Sequence, residues 1–219
     1  MLLQLAIDDP AHLGVVPEVI DLVDIVEVGT PVLKRFGLAS ITTLRERSGG
    51  RPVLADTKTV DGGAKEAEMV FGAGASLMTV LSCASPATHA AAGRVAREYG
   101  AHVVVDTIAD RRLPRRPGRF PGHCDYLALH SPTDRRLDGE DDTRHIDAVA
   151  SMRALGYRVS LAGGIGPANL AAVAEAAPEI VVVGGAITRA ENPRRTAEWI
   201  VSTLNGHTRG RPPSRNSPK

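Results

Sequence analysis

The sequence predicts a single-domain (β/α)8 barrel, on three observations. Eight short apolar, β-branched runs recur along the chain, helical-period segments alternate with most of them, and polar residues collect where many of the runs end. In order, the predicted strands are Leu2 to Ile7, Asp24 to Val28, Pro52 to Ala55, Leu77 to Leu81, His102 to Val105, Asp125 to Leu129, Arg158 to Leu161 and Ile180 to Val183. Runs that are apolar on both faces suit parallel strands covered by helices, and Ala87 to Tyr99, His145 to Leu155 and Pro193 to Leu204 have the helical period. Eight such units in about 205 residues make a compact version of a fold that typically takes ~250. A doubly wound open sheet is the competing architecture, disfavoured because polar residues close so many different strands. The fifth crossover is expected to be irregular: residues 108–123 carry Pro114, Pro117, Pro121, Gly118 and Gly122, too many breakers for a helix interior, among five arginines. The barrel is expected over 1–205, followed by a disordered tail over 206–219.

Composition narrows the function classes. The chain has 219 residues and a net charge of +1 with acids and bases interspersed, which speaks against a nucleic-acid footprint or a polybasic membrane surface. Met1 leads directly into Leu2-Leu3-Gln4-Leu5-Ala6-Ile7, without a basic n-region, and no apolar run approaches the roughly 18 residues of a membrane span. A cytoplasmic protein with a small partner is expected. Cys83 and Cys124 lack metal-type spacing and are expected to be reduced core thiols.

The most chemical stretch is Asp56-Thr57-Lys58-Thr59-Val60-Asp61, placed directly after the third run. Two carboxylates and an ammonium at one strand end are costly to bury unless they pair, hold a metal or meet an anionic substrate. Alternation along Asp24-Ile25-Val26-Glu27-Val28 sets Glu27 on the same side as Ile25, facing the barrel interior. Glu27 and Asp56, from neighbouring strands, suit a shared Mg2+ completed by water and substrate oxygens, the alternative for Glu27 being a salt bridge to Lys58. His130 closes the sixth run, where an imidazole can move a proton near neutral pH. Asp8 and Asp106, after the first and fifth runs, are candidates to bind substrate hydroxyls, to orient Lys58, or simply to cap helices. Finally, Gly163-Gly164 and Gly184-Gly185 follow the seventh and eighth runs, the positions where barrels of this kind commonly bind phosphate. Glycine there leaves backbone N–H groups open to an anion.

These motifs together resemble the orotidine monophosphate decarboxylase superfamily from about Leu2 to Leu204, and within it the Mg2+-dependent branch of hexulose-phosphate synthases and keto-gulonate phosphate decarboxylases. The resemblance is carried by Leu5-Ala6-Ile7-Asp8, Val26-Glu27-Val28-Gly29-Thr30-Pro31, Leu54-Ala55-Asp56-Thr57-Lys58 through Asp61-Gly62-Gly63, Val104-Val105-Asp106, His130 with Thr133-Asp134, Ala162-Gly163-Gly164-Ile165 and Val183-Gly184-Gly185-Ala186-Ile187-Thr188. Orotidine decarboxylases carry a lysine at the position of Glu27 and work without metal. The decarboxylases of the Mg2+-dependent branch carry arginine, threonine and arginine at the positions of Thr133, Ala162 and Gly185, so this chain is more similar to the synthases.

The resemblance implies an aldol condensation of D-ribulose 5-phosphate with formaldehyde to D-arabino-hex-3-ulose 6-phosphate. It implies Mg2+ on Glu27 and Asp56, His130 as the base toward C1, and Lys58 neutralising developing charge. It also implies that Asp61 reaches the partner subunit's site, giving a homodimer with shared active sites. The proline-rich 108–123 segment and the Pro132 and Arg135-Arg136 surroundings of His130 depart from the pattern. A decarboxylase or other enediolate enzyme acting on another sugar phosphate, and a non-catalytic phosphosugar-binding barrel, are the alternative readings.

Overall fold

A computed structural model describes residues 1–108, 110, 123–134 and 144–208. Its eight strands are β1 (Leu2–Ile7), β2 (Ile25–Val28), β3 (Val53–Thr59), β4 (Leu77–Leu81), β5 (His102–Asp106), β6 (Tyr126–His130), β7 (Val159–Ala162) and β8 (Ile180–Val183). All pair in parallel in chain order, and β8 returns to β1, closing the barrel. Helices among the described residues include a 3-10 turn at Pro10–His12 and α1 (Val15–Val19), α2 (Thr30–Phe36), α3 (Ala39–Arg47), α4 (Gly63–Gly72), α5 (Pro86–Tyr99), α6 (Arg144–Ala154), α7 (Leu170–Ala176), α8 (Gly185–Thr188) and α9 (Pro193–Thr208). None of them is long and apolar enough to cross a membrane.

Local sequence explains the element ends. Helix α5 starts where the Ser85 hydroxyl accepts the Thr88 N–H at 3.1 Å with Pro86 in the first turn, and stops at Gly100 in the left-handed region. It buries His89, Ala92, Val95 and Ala96, one face at helical spacing.

The strand alternation divides the core in two. Outward residues such as Leu3, Leu5, Val26, Met78, Val105, Leu127 and Leu161 pack with the helices in one large cluster. Inward residues Ile25, Leu54, Leu77, Val104, Tyr126, Ala128 and Ile180 form a second, separate cluster inside the barrel. One pleat further along, the same inward face turns polar: Ile25 is followed by Glu27, Leu54 by Asp56, Leu77 by Thr79, Val104 by Asp106 and Ala128 by His130. The site is therefore assembled by a register that five strands share. At the opposite end Arg158 lies 4.1 Å over the Tyr126 ring and pairs with Glu179 at 2.6 Å, covering the apolar floor.

Three expectations need adjustment. Strand β3 runs to Thr59 rather than stopping at Ala55, because its register against β4 shifts between Ala55 and Thr59 and carries the charged residues into the barrel rim. Cys83 is exposed rather than in the core and Cys124 is half-buried, both as free thiols, and burial raises the Cys124 pKa to about 12. Helix α9 continues to Thr208, past the expected domain end at 205, whereas the expected disorder of 209–219 lies outside the described residues. The irregular crossover expected over 108–123 also lies outside them, except for 108, 110 and 123.

Leu127 is fully buried between barrel and helices, so Leu127→Ala is expected to cost about 2–5 kcal/mol, read from the urea midpoint at unchanged m-value.

Candidate active site

Six of the predicted site residues converge at the C-terminal ends of the strands. Lys58 is at the centre. Its ammonium donates to Asp56 Oδ2 at 2.8 Å and Oδ1 at 2.9 Å, and to Asp106 Oδ2 at 3.0 Å. Its backbone is left-handed, with φ of 50°, a conformation that costs a residue with a Cβ about 1–2 kcal/mol. Hydrogen bonds hold it there: the Lys58 N–H donates to Thr79 Oγ1 at 2.8 Å, and that hydroxyl donates to Asp56 Oδ1 at 2.9 Å. Thr30, at the start of α2, donates to Asp56 Oδ2 at 2.8 Å. Asp56 is thus fixed from three sides.

Asp106 joins Lys58 to His130. Its carboxyl is 1 % exposed and accepts from the Ile108 N–H at 2.8 Å, while His130 Nδ1 lies 3.1 Å from Oδ2. Burial alone would raise the pKa of Asp106; the His130 hydrogen bond and the charges around it bring it down to about 2. An ionised carboxylate only accepts, so the proton of that contact belongs to His130 Nδ1 and the lone pair of the neutral ring is on Nε2. Burial opposes the Lys58 charge, yet Asp106 and Asp56 hold the ammonium protonated well above the usual lysine range.

Glu27 is 8 % exposed and does not pair with Lys58, whose ammonium goes to Asp56 and Asp106 instead. Its Oε2 accepts from Gln4 Nε2 at 2.6 Å. Burial, and then the Asp56 charge, push the Glu27 pKa up to about 8 against the Gln4 hydrogen bond. Asp8 lies at the rim, with its carboxyl tucked against the backbones of Gly29 and Gly184. Desolvation there, followed by the Asp56 charge, raises its pKa. Four carboxyls therefore surround one ammonium, an excess of negative charge that fits a hard divalent cation. Among the described residues no three His, Cys, Asp or Glu side chains form a ready metal cluster. The donor set that fits is the carboxylate pair Glu27 and Asp56, with water and ligand oxygens completing the shell.

The glycine loops also meet at this rim. Gly163 has φ of 97°, and a Cβ there would lie 2.3 Å from the Ser131 carbonyl oxygen, so only glycine fits. The β7 loop approaches the β8 loop, a Cβ on Gly166 lying 3.4 Å from that of Ala186. Gly164 and Gly184 belong to the same two loops, and Gly185 opens the single-turn helix α8. Asp61 is exposed and stands outside this network. Sequence reading missed Gln4, whose signal was a lone amide at an inward position of β1.

A closed parallel barrel with its ionisable groups gathered at the strand C-termini is the arrangement of a (β/α)8-barrel enzyme. The family model described as orotidine 5'-phosphate decarboxylase / HUMPS matches residues 1–111. A 3-hexulose-6-phosphate synthase of Mycobacterium gastri is 35% identical over 209 residues, covering 93% of this chain and 100% of that protein. The crystal structure of a 3-hexulose-6-phosphate synthase from Salmonella typhimurium superposes with a TM-score of 0.87 at 38% identity, over 94% of this chain and 100% of that one. That of a 3-keto-L-gulonate-6-phosphate decarboxylase from Vibrio cholerae gives 0.82 at 27%, over 94% and 98%. The chain belongs to the orotidine 5'-phosphate decarboxylase / HUMPS family, and it is an enzyme of the lyase type.

The Glu27 displacement has a stability signature. A carboxyl whose folded pKa lies near 8 rather than 4.5 contributes stability that is complete below 4.5 and is lost as pH rises through 8, each pKa unit being worth about 1.4 kcal/mol. In EDTA, urea unfolding between pH 5 and pH 9 is expected to show wild-type stability falling with pH and Glu27→Gln falling less. Parallel profiles for the two proteins would mean that Glu27 is ionised throughout.

Proposed function

We propose that the enzyme condenses D-ribulose 5-phosphate with formaldehyde to give D-arabino-hex-3-ulose 6-phosphate, as a 3-hexulose-6-phosphate synthase. The observation that carries this reading is the Asp106 carboxylate, which holds a base, His130, and a cation, Lys58, against the same reaction space. Higher identity to relatives named synthase than to the Vibrio decarboxylase supports it over decarboxylation.

His130 Nε2 removes a C1 proton of the ketose, and Asp106 stabilises the resulting imidazolium through Nδ1. The electron pair left on C1 is delocalised as an enediolate. Lys58, fully protonated between its two carboxylates, offers positive charge to the substrate oxygens without itself titrating. C1 then attacks the formaldehyde carbon; the new C–C bond forms as the C=O π pair moves to oxygen, which takes the proton back from His130. Glu27 and Asp56 would hold Mg2+, which when bound polarises the substrate carbonyl. Gln4 keeps Glu27 turned into the barrel, and Asp8 is placed to accept a substrate hydroxyl. The Gly163-Gly164 and Gly184-Gly185 loops present N–H groups to the phosphate. Asp61, exposed beside exposed Val60, serves the partner subunit's site in a homodimer.

The proton step is tested by NMR of ribulose 5-phosphate in D2O with Mg2+ or EDTA, before and after formaldehyde. Wild type should exchange C1 protons and then form hexulose phosphate only with Mg2+. His130→Asn should slow exchange by about 10²–10⁴-fold; undiminished exchange in this variant refutes the assignment of the base. Shared sites predict complementation. Asp61→Ala and His130→Ala are each expected to be inactive, and mixing them after subunit exchange should restore activity, because one site of the heterodimer is then intact. No recovery in verified heterodimers would place Asp61 in its own protomer's site.

A further inference from the structure

Arg189 directly follows the single-turn helix α8, and its backbone N–H donates to the Gly185 carbonyl at 3.1 Å. The side chain folds back over that residue. A Cβ built on Gly185 would lie 2.3 Å from Arg189 Nη2, 2.7 Å from Cζ and 3.0 Å from Nε. The guanidinium therefore occupies the space a side chain at position 185 would fill, and glycine at 185 is what admits it. The neighbouring Gly184 backbone abuts the Asp8 carboxyl, with 3.5 Å from a Cβ there to Oδ2, so the guanidinium sits at the barrel mouth. Its charge also acts to lower the Asp8 pKa. Arg189 is exposed, and among the described residues no carboxylate lies within ion-pair distance of it.

We infer that Arg189 binds the substrate phosphate, clamping it from above Gly185 against the N–H groups of the β7 and β8 loops. A guanidinium folded over Gly185 offers the forked geometry that a phosphate matches, and among the described residues it forms no ion pair with a carboxylate. Gly185 and Arg189 thus act as one unit: the first makes room, the second supplies the charge. The identity of the ligand rests on the function proposed above, but the anion site does not require turnover.

The test is calorimetric titration of wild type, Arg189→Ala and Arg189→Lys with ribose 5-phosphate, and with ribose as the uncharged control, alongside steady-state assays with ribulose 5-phosphate. Wild type should bind ribose 5-phosphate and not ribose. Arg189→Ala should weaken phosphate binding by about 10–100-fold, the range for a hydrogen bond to a charged group, and Arg189→Lys should recover part of the loss. In the assay the loss should fall on KM with kcat little changed. Gly185→Ala, which displaces the guanidinium, should weaken binding comparably, and adding it to Arg189→Ala should cost little more. Ribose 5-phosphate affinity within twofold of wild type in Arg189→Ala overturns the inference while leaving the synthase reading intact if wild type turns over. Arg189-dependent phosphate binding without turnover does the reverse, and a wild type that binds no sugar phosphate overturns both.

Discussion

The Lys58 ammonium between Asp56 and Asp106 organises the whole mouth of the barrel. Three strands are tied to it: β3 carries Lys58 and Asp56, β5 carries Asp106, and β4 supplies the Thr79 hydroxyl that bridges the Lys58 backbone and Asp56. A residue with a Cβ in the left-handed region persists only when its surroundings over-determine it, and here the polar contacts of the side chain and the N–H do so. Replacing Lys58 would leave two carboxylates facing each other at low exposure, with Glu27 and Asp8 nearby. Removing one charge would thereby disturb four others. The electrostatics of the site are in this sense a single object.

That object is kept off neutrality. Burial and the Asp56 charge push the Glu27 pKa up to about 8, whereas the His130 hydrogen bond and the charges around it bring that of Asp106 down to about 2. Two carboxyls in one barrel differ this far because their partners differ. Glu27 has an amide and a neighbouring anion, while Asp106 has an imidazole, an ammonium and a backbone N–H. The unspent acidity of Glu27 marks where positive charge is lacking. The orphaned Oε1 of Gln4, buried without a hydrogen-bond partner, belongs to the same region and is the cost of pointing the amide nitrogen at Glu27.

Most of this was legible in the chain because the barrel converts position in a strand into position in space. Glu27 could be assigned to the rim from alternation within its run, and Asp56, Asp106 and His130 from their places at the ends of theirs. The pairing among them was not legible. Whether Lys58 meets Glu27, Asp56 or Asp106 depends on the register shift in β3 and on a left-handed backbone that no propensity announces. Gln4 was hidden within an apolar run, where a single amide reads as tolerated rather than aimed. Arg189 was hidden for another reason: its side chain acts four residues back along the chain, above a glycine whose own role looked sufficient.

Below the charged layer the barrel is solid. Ile25, Leu54, Leu77, Val104, Tyr126 and Ile180 fill it from wall to wall, and the Arg158–Glu179 pair lies across the far end. Among the described residues a chamber with this packed floor opens at the strand C-termini, and ligands would share that entrance. On the proposed function, a ligand anchored by its phosphate on the β7 and β8 loops would stand in that doorway with its reactive end inward, and a second, smaller reactant would have to precede it or slip past its edge. Access for that second reactant would then be set by shape rather than by affinity.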